Sequence, residues 1–213
     1  MSPRKPRFER HAPEVRRLRL IEATIECLKR YGHEGLSVRR ISAEAGVSIG
    51  LINHHFPTKN ALVAEAYRHF NAQLNQAVVD AMEHAPQSPR ERLRALFRAI
   101  FSPPNLDRDV LTVWIVLWGL YHHSREIQKV HAEAYGGYVE MLRDALAAFQ
   151  KESGKFRMNL RLAAIGAQAL LDGLWLEWCL DPENFSPQEA VQLCEAWVDN
   201  LQTPGRSARQ RRA

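Results

Sequence analysis

The sequence predicts an all-α fold, on three observations. Apolar residues recur at the helical 3.6-residue period through nearly every segment. No run of alternating β-branched residues bounded by turn residues occurs, and serine, threonine, proline and glycine stand where periodic segments begin and end. The 213 residues suffice for one or two domains, and 46% hydrophobic with 25% charged residues is the balance of an ordinary globular protein with a sizeable core.

The elements follow in order. A first helix begins near Pro13, carries Leu18, Ile21, Ile25 and Leu28 on one face, and ends at Tyr31-Gly32, where glycine suits a left-handed cap. Ser37 caps a short second helix with Val38 and Ile41 inward, and Ala45-Gly46-Val47 forms a tight turn. Ser48 caps a third helix that runs through His55, and Pro57-Thr58 stops it and caps a long fourth helix with Leu62, Ala66, Phe70 and Leu74 at four-residue spacing. Ser88-Pro89-Arg90-Glu91 and Ser186-Pro187-Gln188-Glu189 are two copies of one start signal, a serine cap with proline at the first helical position and glutamate closing a capping box. Between them the pattern predicts helices over Arg90–Phe101, Asp107–Tyr121, Arg125–Glu152 and Met158–Leu180. The Arg125 helix bears Ile127, Val130, Ala134, Tyr138, Met141, Ala145 and Ala148. The Met158 helix has two apolar stripes, Leu160-Ala164-Ala167-Leu171-Leu174-Trp178 and Leu162-Ile165-Ala169-Leu176-Cys179, so it needs two neighbours. A last helix offers Ala190, Cys194, Trp197 and Leu201. Nine or ten helices are expected in all.

Charge is divided along the chain. Residues 1–60 carry a net +6, residues 61–204 a net −5 and residues 205–213 four arginines and no acid. A polyanion partner for the first segment fits this asymmetry, as does a solvated basic face. The apolar stretch Val110–Tyr121 is too short for a bilayer span of roughly 20 residues and reads as a core helix. No apolar region follows the basic N-terminus, so a cytoplasmic protein with no membrane partner is expected. Cys27, Cys179 and Cys194 form no CxxC pair and read as small core residues in a reducing compartment.

Two short helices joined by a tight glycine turn in the basic part of the chain match a helix-turn-helix, whose second helix enters the DNA major groove. Val47, Ile52 and Phe56 would anchor that helix, leaving Ile49, Gly50, Leu51, Asn53 and His54 outward. Asn53 is suited to an adenine edge, and Leu51 or Ile49 to a thymine methyl. Periodicity alone equally allows a plain helical hairpin. The run GLSVRRISAEAGVSIGLINHHFPTKNALVAEAYR, residues 35–68, resembles the N-terminal domain of the TetR family of bacterial transcriptional repressors. The resemblance lies in the turn Ala45-Gly46-Val47-Ser48, Gly50, the His54-His55-Phe56 region and Lys59-Asn60-Ala61-Leu62. The chain departs from that family at Asn53, where tyrosine is usual, and at His55, where a second aromatic is common. The resemblance implies base-edge contacts from Arg39, Ile49, Leu51, Asn53 and His54, and phosphate contacts from Ser37, Ser48, His55, Thr58 and Lys59. It further implies a regulatory half that senses a ligand and forms a homodimer on a palindromic operator through its last two helices. The expected layout is a basic arm over 1–13, a three-helix DNA-binding domain over 14–60, a larger helical ligand-binding and dimerisation domain over 61–203 and a disordered basic tail over 204–213. Helix four, from residue 58, links the two halves. Arg4, Lys5, Arg7 and Arg10 of the arm suit phosphates or a minor groove, or serve only solubility.

Trp114, Trp118 and Tyr121 lie at i, i+4, i+7, and Asp172-Gly173-Leu174-Trp175-Leu176 is expected to cross nearby. Trp114-xxx-Trp118 with this DGLWL run resembles the BetI branch of the family, repressors that respond to choline. Tryptophans at helical spacing are also plain core, but Asp172 interrupts an apolar stripe and needs a cationic or hydrogen-bonding partner, either a ligand or an Arg or His of a neighbouring helix. A pocket of Trp114, Trp118, Tyr121, Asp172 and Trp175 for a small organic cation is therefore expected, since ring faces attract quaternary ammonium. A regulator of another catabolic or efflux pathway with a non-cationic ligand is the alternative, and a helical protein-binding adaptor is a further one. The nine histidines include no HExxH or i, i+4 pair, no Gly-rich phosphate loop follows a strand, and no Ser-His-Asp or Cys-His arrangement is readable, so neither an enzyme nor a cofactor or metal is expected.

Overall fold

The computed structural model describes residues 13–203, which form nine helices and no sheet. They are α1 (Pro13–Gly35), α2 (Val38–Ala45), α3 (Ile49–His55), α4 (Lys59–His84), α5 (Pro89–Ile100), α6 (Arg108–Tyr121), α7 (Arg125–Ser153), α8 (Leu160–Leu180) and α9 (Pro187–Asn200). The arm with Arg4, Lys5, Arg7 and Arg10 and the tail over 204–213 lie outside the described residues.

Caps set most of the boundaries. Ser37, Ser48, Thr58, Asp107, Ser124 and Asn159 each accept a backbone N–H of the following turn. Gly32 breaks α1 with φ 58°, where the sequence placed its end. Gly46 ends α2 in the left-handed region at φ 66°, and its N–H closes onto the carbonyls of Ser42 and Ala43, which turns the chain into α3. The two expected capping boxes differ. Ser186 and Glu189 satisfy each other's backbone N–H groups, whereas Ser88 makes no side-chain cap and Glu91 pairs instead with Arg94 one turn on.

Several expected faces shift by one or two residues. Leu18 is 40% exposed and Leu20 takes its place in the core. Ala148 is exposed where Phe149 is buried, and Met158 is exposed and precedes α8. These are corrections of phase, because a stripe of small and large apolar residues fits two neighbouring rotations and packing selects one. The N-terminal part of the second stripe of α8 is not covered among the described residues, although Cys179 at its far end is buried. Leu162 and Ile165 are exposed and continue into exposed Leu180 and, on α9, Leu193, while Leu171, Ala164 and Ala167 face inward.

One continuous apolar core runs from Leu20 on α1 to Leu201 after α9. α1 packs on α2, α4 and α6; α4 also packs on α5 and α7; and α8 packs between α7 and α9. A Cβ on Gly166 would lie 2.8 Å from the Trp197 ring, so glycine there lets α9 approach α8. Arg94 binds Glu195 at 2.5 Å and Arg90 pairs with Asp199, holding α5 to α9. Cys27, Cys179 and Cys194 are buried free thiols.

The two serines give a direct check. Ser186→Ala will lower unfolding free energy by about 1 kcal/mol, whereas Ser88→Ala will change it by no more than a few tenths of a kcal/mol, measured by urea denaturation.

Candidate nucleic-acid interface and effector cavity

The helix-turn-helix is held from below. Ile41, Ile52, Phe56 and Leu62 are buried, Val47 packs against them, and the Ser42 hydroxyl, itself buried, donates to the Val47 carbonyl across the turn. Ser42 was not singled out by sequence, because a serine inside a short helix has no pattern of its own. Arg17 of α1 lies over the Phe56 ring at 5.0 Å, pinning the end of α3.

The opposite face of α3 is open. Ile49, Gly50, Asn53 and His54 are exposed and Leu51 is half-buried. A Cβ on Gly50 would meet only the Ser48 hydroxyl, at 3.9 Å, so nothing within the chain demands glycine there. Arg39 is exposed and makes no side-chain hydrogen bond or ion pair among the described residues. Its neighbour Arg40 is committed to the Gly35 carbonyl at 2.8 Å and the Tyr31 ring at 4.7 Å. Ser37, Ser48 and Thr58 accept backbone N–H groups, leaving each hydroxyl proton free to donate outward. Lys59 is exposed and reaches the Leu36 carbonyl at 3.5 Å. His55 is half-buried, in a cleft with Arg17, Arg68 and Lys129, and burial, helped by His54, Arg16 and Arg17, lowers its pKa. A neutral imidazole offers a hydrogen bond rather than a charge.

The C-terminal part of the chain holds a cavity of about 310 Å³ between α4, α6, α7 and α8. That lies near the lower limit for small-molecule sites, which run roughly from 300 to 1,000 Å³. α6 contributes Trp114 and Trp118, stacked at 5.9 Å, and α8 contributes Asp172 and Trp175. Trp175 is buried, with its N–H donated to the Asn105 carbonyl at 3.0 Å. Four of the five expected pocket residues thus line one cavity. Tyr121 does not. It packs edge-on to His131 at 5.1 Å, behind the lining, because α6 is finishing there and its last turn faces α7.

Sequence missed what α4 and α7 supply. Tyr67 is buried, stands edge-on to Trp114 at 5.4 Å and bonds His131 Nδ1 at 2.7 Å. His131 in turn stacks on Tyr135, and Tyr138 completes the aromatic wall. Burial keeps the Tyr67 and Tyr138 phenols protonated and lowers the His131 pKa. Tyr135 and Tyr138 stand three apart on a helix, the one signal available, yet nothing marks them as cavity-facing rather than core.

Asp172 lines the cavity and is exposed to solvent there, with protein atoms packed around the rest of its carboxyl. Partial desolvation by those atoms raises its pKa, opposed by a hydrogen bond of 3.3 Å from the Gln168 amide. The partner it required is therefore an amide, not an arginine or histidine. Asp172 is the only carboxylate of the lining, and no lysine or arginine joins it. No metal-binding cluster occurs among the described residues.

Known proteins match both halves. Residues 89–203 match the C-terminal domain of BetI-type transcriptional repressors, and residues 20–66 match the bacterial regulatory proteins of the tetR family. This chain belongs to the TetR family, in its BetI-type branch. It is 30% identical over 189 residues to the HTH-type transcriptional regulator BetI 1 of Chromohalobacter salexigens, spanning 87% of this chain and 89% of that one. Among solved structures, a candidate transcriptional regulator from Pseudomonas aeruginosa PAO1 superposes with TM-score 0.84 at 48% identity, over 92% of this chain and 94% of the other. Another, from Saccharomonospora viridis, was crystallised in complex with choline. It superposes with TM-score 0.75 at 25% identity, over 88% of this chain and 97% of that one. As a TetR-type regulator, the chain carries its DNA-binding motif on α2 and α3.

The lowered His131 pKa has a measurable consequence. Above pH 6.5 the imidazole is neutral both folded and unfolded and contributes nothing. Below 6.5 the unfolded chain takes up a proton that the folded one resists, so stability falls until the lowered folded pKa is passed. His131→Gln, which keeps a partner for Tyr67, will flatten this loss in denaturation curves at pH 7 and 5.5. The difference will be well under the roughly 1.4 kcal/mol per pH unit of a site that excludes the proton entirely, because solvent in the cavity screens it.

Proposed function

We propose that this TetR-type regulator is a homodimeric repressor of a palindromic operator, and that a small organic cation of the choline kind, bound in the cavity, releases it from DNA. The observation that carries the effector is the lining itself: six tyrosine and tryptophan rings around one carboxylate, with no lysine or arginine. Ring faces and a partly desolvated carboxylate both favour a quaternary ammonium, which needs no hydrogen bonds to leave water. That the relative from Saccharomonospora viridis was crystallised with choline supports the same reading.

On the DNA side, Arg39, Ile49, Leu51, Asn53 and His54 read base edges. Ser37, Ser48, His55, Thr58 and Lys59 hold phosphates, Thr58 at the N-terminus of α4, where free N–H groups favour an anion. Gly50, whose Cβ would meet little, lets the duplex approach the backbone closely. The exposed apolar residues of α8 and α9, Leu162, Ile165, Leu180 and Leu193, supply the dimer face that sets two recognition helices against two half-sites.

A gel-shift titration with the DNA upstream of this protein's own gene, at 50 and 200 mM salt and with and without choline, tests the proposal. Six or more phosphate contacts weaken binding by about 10³-fold between those salts, and choline weakens it further. Binding that choline leaves untouched removes the effector, and no binding at either salt removes the repressor. Asn53→Ala will weaken operator binding by about tenfold. Asp172→Asn will spare operator binding and weaken choline binding by at least about tenfold. Choline affinity of the wild type will stay constant at high pH and fall as pH drops through the raised pKa of Asp172, because protonation removes the charge the cation needs. Asp172→Asn will abolish that dependence.

A further inference from the structure

Gln168 lies on α8 one turn before Asp172, is 4% exposed and lines the cavity. Its Nε2 donates to Asp172 Oδ2 at 3.3 Å. An ionised carboxylate only accepts hydrogen bonds, so the amide nitrogen faces Asp172 and the amide oxygen is directed away from it. That oxygen, Oε1, is buried and has no hydrogen-bond partner among the described residues. Three polar groups of the lining are already committed, the Trp175 N–H to the Asn105 carbonyl, the Asn105 amide to the Ala99 carbonyl and the Tyr67 hydroxyl to His131, whereas the Tyr138 hydroxyl and the Asn71 and Asn75 amides make no hydrogen bond among the described residues. Buried acceptors are nearly always paired in folded proteins, and one left over in a ligand cavity is an acceptor waiting for a ligand's donor.

We propose that Gln168 selects among cations, accepting at Oε1 a hydrogen bond from a hydroxyl or N–H group that the effector carries beside its positive charge. This rests on the reading of the cavity as a cation site and adds a requirement that the aromatic wall does not make, since ring faces and Asp172 attract any organic cation alike. A cation with a hydroxyl fills both needs. A trimethylammonium compound ending in a carboxylate brings an acceptor to an acceptor and a negative charge towards Asp172, so it is rejected even though its cationic end is the same. Selection of this kind is steep because the wrong ligand strands a buried polar atom, whereas an apolar wall discriminates weakly between neighbours of similar size.

The test titrates the full-length protein with three ligands, by calorimetry and by the fluorescence of the cavity tryptophans. Choline has cation and donor. Propyltrimethylammonium puts a methyl group where choline has its hydroxyl. The methyl ether of choline keeps the oxygen as an acceptor without a donor. Choline will bind about tenfold or more tightly than either analogue. Gln168→Met, close in size and without an acceptor, will bring all three within about threefold, while its melting temperature reports that the fold is kept. Apolar burial alone favours the propyl compound, so an analogue that equals or exceeds choline on the wild type overturns the proposal and leaves the cation site standing. Binding of none of the three overturns the cation site itself and this proposal with it. The wild-type series decides the matter even if Gln168→Met fails to fold.

Discussion

Thr58 caps a helix that does not end until His84, and the fold is arranged around that length. α4 spans 26 residues, about 39 Å, with no proline or glycine to bend it. Its first turn carries buried Leu62 against the helix-turn-helix, and its middle turns present Tyr67, Asn71 and Leu74 to the cavity. A stiff element shared by two sites cannot be displaced at one and stay still at the other. α6 makes a second such link: its Trp114 and Trp118 face the cavity, while Val116 lies beside Gly32 at the break in α1.

Electrostatics closes the same path. Glu133 on α7 pairs with Arg68 at 3.1 Å, Arg68 pairs with Glu65, and Glu65 binds Arg17 at 2.5 Å, whose guanidinium covers Phe56 at the end of the recognition helix. Each of these pairs is partly exposed and individually worth little, yet together they join the helix that carries His131 to α3. The proposed release requires only that the cation bind the DNA-incompetent arrangement more tightly. A coupling of about 1–3 kcal/mol shared among α4, α6 and this chain of charges is within the usual range for such switches.

What the sequence disclosed follows the locality of each signal. Caps and glycine turns act within four residues, so Ser37, Gly46, Ser48, Thr58 and Ser186 were readable, and with them the helix-turn-helix. Ser88 was misread because its box needs Glu91 free, and Arg94 and Glu195 compete for the charges there. Leu18 and Ala148 were misplaced because a stripe fixes an apolar face only to within one or two residues. Trp114, Trp118, Asp172 and Trp175 could be named because tryptophan is rare and a carboxylate within an apolar stripe is anomalous. Tyr67, His131 and Gln168 sit on three different helices, and only their convergence gives them a role. A buried glutamine on a small-residue helix has no pattern that foretells which of its atoms will be left without a partner.

If cavity and DNA surface form one coupled system, binding at the two must be thermodynamically reciprocal. Choline affinity is measured by calorimetry on the free protein and again on the protein saturated with the DNA upstream of its own gene. DNA will weaken choline binding by the same factor by which choline weakens DNA binding, at matched salt and pH. Equal choline affinity with and without DNA would contradict it.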